Sequence, residues 1–135
     1  MAQSAKLKTQ ADMLLEVRKL VFSDGLLQEA LLAHCKTEDV KIPNSQIQKV
    51  RFAGTPGQGG QVVIAFVTSN PKNPYEVHLN EGFVLSAMIA LCKQMGVPLP
   101  RDAAKTVQLT DQGLAMTVSM KVDPVSPSSQ TRAVG

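Results

Sequence analysis

Tryptophan is missing from this chain of 135 residues, and aromatic residues make up only 4% of it: Phe22, Phe52, Phe66, Phe83 and Tyr75. The core must therefore be aliphatic, with methionine filling irregular gaps. The same scarcity removes the stacking platforms on which proteins lay single-stranded bases. Cysteine is nearly absent too, at Cys35 and Cys92, and the histidines are His34 and His78. No C-x-x-C or H-x-x-x-H spacing occurs among them, so no metal or cofactor is expected. Long apolar runs are also lacking. Met13–Val17 is short and carries Glu16, far from the roughly 18 residues of a spanning helix. No secretory leader is evident. The expectation is a cytoplasmic chain with reduced thiols and no membrane partner.

Charge of neither sign dominates. There are 14 basic and 11 acidic side chains, for a net charge of +3, and the basic ones are scattered along the chain. Hydrophobic residues reach 44% against 19% charged, which fits one globular domain and excludes a disordered chain.

What is present is a repeated phrase. Cys-Lys occurs at Cys35-Lys36 and Cys92-Lys93, each followed by an apolar residue and then a proline, Pro43 or Pro100. Shifting the chain by the distance between the cysteines lays Leu20–Phe52 on Val77–Leu109 without a gap. Identical pairs are Gly25/Gly82, Ala30/Ala87, Ala33/Ala90, Cys35/Cys92, Lys36/Lys93, Val40/Val97, Pro43/Pro100 and Val50/Val107. Beyond this block the register slips in a turn, where insertions cost least. "GTPGQGG" (Gly54–Gly60) makes a long hairpin loop where "TDQG" (Thr110–Gly113) makes a short one.

The pattern predicts an α+β domain built from a duplicated β-α-β-β unit. The copies are residues 17–68 and 75–122, joined by a linker at 69–74 and related by a pseudo-twofold axis. An extra N-terminal helix is expected over residues 1–16, and a disordered Pro/Ser tail over 123–135. In each copy a strand (Arg18–Phe22 or Tyr75–Leu79) leads to a helix capped by Ser23 or Asn80. The helices run to about Glu38 and Met95, with Asp39 and Gly96 at left-handed ends. Antiparallel hairpins follow: Ile47–Ala53 with Gln61–Thr68, and Ala104–Thr110 with Leu114–Lys121.

No catalytic constellation emerges. Helical spacing puts Cys92, and Cys35 in the same register, on the buried face, where a free thiol acts as a small apolar residue. His34 adjoins Cys35, but helix neighbours point about 100° apart. The glycine-rich loop lies between strands and lacks the Lys-Ser/Thr of a phosphate-binding loop. The reading therefore leans away from an enzyme, with a thiol-dependent enzyme as an unfavoured alternative.

The expected function is a non-enzymatic interaction or assembly module, and the expected partner is another protein or a second copy. Phe83–Cys92 is apolar at every position but Ser86. Leu85 and Ile89 are therefore candidate contacts of a homodimer formed through residues 83–95. Val63, Ala65 and Val67 form a candidate apolar stripe on the outer sheet face. A weaker alternative is a mildly basic nucleic-acid-binding or regulatory protein, with Lys41, Lys49, Arg51, Arg101 and Lys105 as a candidate anion contact.

Overall fold

The computed structural model describes residues 14–122, and the expected tail at 123–135 lies outside them. Two helices and two three-stranded antiparallel sheets make an α+β architecture. The order is β1 (Leu14–Val21), α1 (Asp24–Thr37), β2 (Ile47–Ala53), β3 (Gln61–Phe66), β4 (Tyr75–Asn80), α2 (Glu81–Gln94), β5 (Ala104–Thr110) and β6 (Gly113–Val122).

The helix boundaries follow from local chemistry. The Ser23 side chain accepts a hydrogen bond from the Leu26 amide, and the Asn80 side chain accepts one from Phe83. Asp24 and Glu81 stand in the first turns, where a carboxylate suits the helix dipole. Both C-termini close in the same way. Asp39 has φ 57° and Gly96 has φ 76°. The amides of Val40 and Val97 reach back to the carbonyls of Cys35 and Cys92, both at 2.8 Å. The amides of Asp39 and Gly96 donate to Lys36 and Lys93 at 3.3 and 3.2 Å. This is a Schellman ending, and it gives the repeated Cys-Lys phrase a backbone meaning. Although aspartate takes this conformation less readily than glycine, the bonds at Asp39 match those at Gly96 closely.

One expectation at the N-terminus is overturned. Leu14, Leu15 and Glu16 were assigned to an N-terminal helix; they open β1, which starts before Arg18. The residues ahead of Leu14 lie outside the described segment. The strand wins because LLEVRKLV pairs over its whole length with β6, from Leu14 opposite Val122 to Val21 opposite Ala115. A helix there would leave Met120, Lys121 and Val122 of β6 without their partners in β1.

The sheets are assembled across the chain. Strand order is β1-β6-β5 in one sheet and β2-β3-β4 in the other. Each sheet thus joins the hairpin of one half of the chain to the first strand of the other half. The helices pack on one another, and a single core cluster draws on both helices and on the inner rows of both sheets. Leu31 and Cys35 of α1, Val84 and Met88 of α2, Ile64 and Phe66 of β3, and Met116 and Val118 of β6 belong to it. Aliphatic and sulfur side chains dominate, as the shortage of aromatics requires.

Candidate functional site

The thiols come first because they are the most reactive groups. Cys35 and Cys92 are both free and buried. Burial pushes both thiols up, and for Cys92 the Arg18 guanidinium pulls partly back. A thiol nucleophile needs an accessible thiolate and a lowered pKa; neither cysteine has them. Among the described residues no three His, Cys, Asp or Glu side chains converge on a common point.

Between the helices Ala30, Ala33, His34 and Thr37 face Ala87, Ala90, Leu91 and Gln94 across a cleft of about 110 Å³. The small side chains let the helices approach. His34 packs edge-on against Phe83 with ring centroids 4.8 Å apart, and its Nε2 lies 3.6 Å from the Glu38 carboxylate. Small-molecule sites usually measure about 300–1,000 Å³, so this cleft is too small for one.

The glycine-rich loop has its own anion. The Gly57 amide donates to both carboxylate oxygens of Glu81, each at 2.9 Å. The loop is therefore tied to the first turn of α2 rather than open to a phosphate.

The five basic candidates do not converge on one element. Lys49 and Arg51 stand on β2, in one sheet; Lys105 lies on β5, in the other, with Arg101 in the turn before it. Lys41 is in the connection that leads to β2. Lys105 is engaged internally: its Nζ donates to the carbonyls of Pro100 at 2.9 Å and Ala103 at 3.1 Å. Arg51 lies 3.5 Å from Glu76, whose other oxygen lies 3.3 Å from His78.

These contacts also correct the expected apolar stripe. On the outer face of β3, Val63 stands between Arg51 and His78, and Ala65 between Lys49 and Glu76. Val63 and Ala65 are buried in that row, and only Val67, beyond the end of the strand, is exposed. The face presented to solvent is a ladder of charges. Leu85 and Ile89 on α2 are half-buried and pack against the core cluster.

The outer face of the other sheet carries fewer charges. Its rows run Val17–Ser119–Ala104, Lys19–Thr117–Thr106 and Val21–Ala115–Gln108. Thr117 donates to Gln108 within this face. Strand β1 forms its margin, because β6 is its partner on one side only among the described residues. Leu14, Leu15, Val17 and Val21 are 52%, 66%, 54% and 40% exposed. They are half of the large hydrophobic side chains found exposed among the described residues.

The free margin of β1 has a defined set of backbone groups. The Phe22 amide, just past the strand, donates to Leu114 of β6. Alternation along a strand then turns Leu20, Arg18 and Glu16 toward β6, and Val21, Lys19, Val17 and Leu15 toward the open side. The other sheet margins are guarded differently. Strand β2 has an irregularity between Ile47 and Lys49, β4 follows Pro74 and carries the Glu76–His78 pair, and β5 is mostly polar. Bulges, prolines and charges are the usual protection of an edge; β1 is the longest margin and exposes aliphatic side chains alongside Glu16, Arg18 and Lys19.

Sequence reasoning placed this strand at Arg18–Phe22 and missed its first half, Leu14–Val17, because its partner, β6, lies at the far end of the chain. The available signal was the alternation Leu15, Val17, Lys19, Val21. Comparison of the chain with protein families, with curated proteins and with solved structures finds no match.

Proposed function

We propose that this chain is a non-enzymatic interaction module, and that β1 with the outer face beside it is the recognition surface. The observation that carries the reading is the set of four exposed aliphatic side chains on one strand margin that has no partner among the described residues. Such a margin offers main-chain hydrogen bonds for affinity and side-chain rows for selectivity, as in recognition by strand addition. Leu15, Val17 and Val21 share one face of the strand with Lys19, and exposed aliphatic side chains grouped on an edge are a feature of interaction sites.

We further propose that the two halves are copies of one β-α-β-β unit related by a pseudo-twofold axis. Matching N-caps, matching Schellman ends and the reciprocal exchange of first strands support this reading. The two sheets then share one build and differ on their outer faces: one carries the ladder of Lys49, Arg51, Glu76 and His78, the other small and aliphatic side chains around Lys19.

The test is photocrosslinking with a photoreactive residue at Leu15, compared with one at Lys49, in the cells that make the chain. Adducts are expected at Leu15 and not at Lys49. Equal labelling, or none at either position, contradicts the assignment. Nucleic-acid binding has less support, since Arg51 and Lys105 already have internal partners. A shift assay across salt tests it, because phosphate-driven binding falls steeply as salt rises; no shift is expected at physiological salt.

A further inference from the structure

Resting on the reading of β1 as the recognition strand, we infer that its occupant is β1 of a second copy of this chain. The two strands pair antiparallel about a twofold axis at Val17. The result is one continuous six-stranded sheet ordered β5-β6-β1, then β1-β6-β5 of the second copy.

The charges along β1 select this register. With Val17 opposite Val17 of the second copy, Glu16 stands opposite Arg18 of that copy, and Arg18 opposite its Glu16. Two cross-strand pairs of opposite charge therefore form at once, and such directly opposed pairs stabilise a ladder. Leu14 falls opposite Leu20, and Leu15 opposite the stem of Lys19. Moving the axis by one residue either way sets Arg18 against Arg18 or Glu16 against Glu16, and like charges directly opposed are destabilising. Among the described residues Glu16 has no ion pair of its own. Arg18 donates one guanidinium N–H to the Pro98 carbonyl at 2.8 Å, and the guanidinium has five donors in all. The backbone agrees as well, because Leu15, Val17 and Lys19 are the residues whose amides and carbonyls turn to the open side.

A self-complementary strand needs no second gene product, and an isologous contact closes on itself without leading to fibres. The outer face continues across the junction into the second copy.

Sedimentation equilibrium on the purified full chain and its charge variants tests the pairing. The wild type is expected to be a dimer. Glu16→Arg and Arg18→Glu should each weaken self-association by about tenfold or more, since both pairs become repulsive. An equal mixture of the two variants should dimerise again, because every mixed pair is then attractive. A monomeric wild type at high micromolar concentration overturns the inference, as does a dimer that neither variant weakens. Should Arg18→Glu fail to fold after losing its bond to Pro98, disulfide trapping decides. Directly opposed Val17 residues lie about 5.5 Å apart between Cα atoms, within disulfide reach. Val17→Cys should therefore link two chains under oxidised glutathione. Lys19→Cys should not, because the two Lys19 positions are about 14 Å apart along the strands. Adducts at Leu15 that contain only other proteins would sink the self-pairing and leave the interaction reading standing.

Discussion

Asp39 and Gly113 are two residues whose backbones limit substitution. Asp39 holds a left-handed conformation at φ 57°, which costs an L side chain about 1–2 kcal/mol. Asp39→Gly should raise the unfolding midpoint by an amount corresponding to up to about 1 kcal/mol, read by thermal denaturation. Gly113 has φ 129°, and a Cβ built there would lie 3.1 Å from the Phe22 carbonyl. Gly113→Ala should cost about 1–3 kcal/mol in a urea titration. Cys35 adds a pH dependence. Its thiol is held above the ordinary range by burial, so the unfolded chain releases that proton first. The contribution is intact below the ordinary thiol pKa and is lost as pH climbs through and beyond it. The stability gap between wild type and Cys35→Ala should therefore narrow from neutral to strongly alkaline pH. The left-handed positions were legible because a helix end is set by a few adjacent residues. The burial of Val63 was not, because it depends on Arg51 and His78, which arrive from two other strands.

Helices and hairpins were readable as elements for the same reason. Ser23, Asn80, the glycine-rich loop and the Thr110–Gly113 turn each act over a few residues. Strand β1 was misread in part because Leu14 and Leu15 also fit a helical spacing, and only pairing with β6 settles the matter. The apolar character of α2 was legible too, and its cause is burial: Val84, Ala87, Met88, Leu91 and Cys92 all enter the core. Leu85 and Ile89 pack at the margin of that core. Leu85→Glu should lower the unfolding midpoint, by about 1–3 kcal/mol for a partly buried apolar contact replaced by a charge. It should leave the oligomeric state of the folded fraction unchanged. A variant of wild-type stability that no longer self-associates would move the interface from β1 to α2.

At the scale of the whole molecule the decisive feature is the exchange of first strands. Strand β1 completes the sheet of β5 and β6, and β4 completes the sheet of β2 and β3. Neither half can form its own three-stranded sheet in this arrangement, and an isolated hairpin is marginal at best. Cutting the chain in the 69–74 linker should give two fragments that show no cooperative unfolding alone and regain it when mixed, as followed by circular dichroism. A fragment that folds as a stable monomer contradicts the account of mutual completion. The exchange itself was not legible, because a repeat in sequence says that two units resemble one another and nothing about which strand pairs with which hairpin.

The most direct measurement of the central claim is residue-resolved amide hydrogen exchange in the intact chain as its concentration is raised. The amides of Leu15, Val17 and Lys19 should pass from fast to slow exchange together, while those of Lys49 and Arg51 keep their rates. If the three β1 amides remain fast at every concentration while protection grows on another surface, β1 is not where this protein makes its contacts.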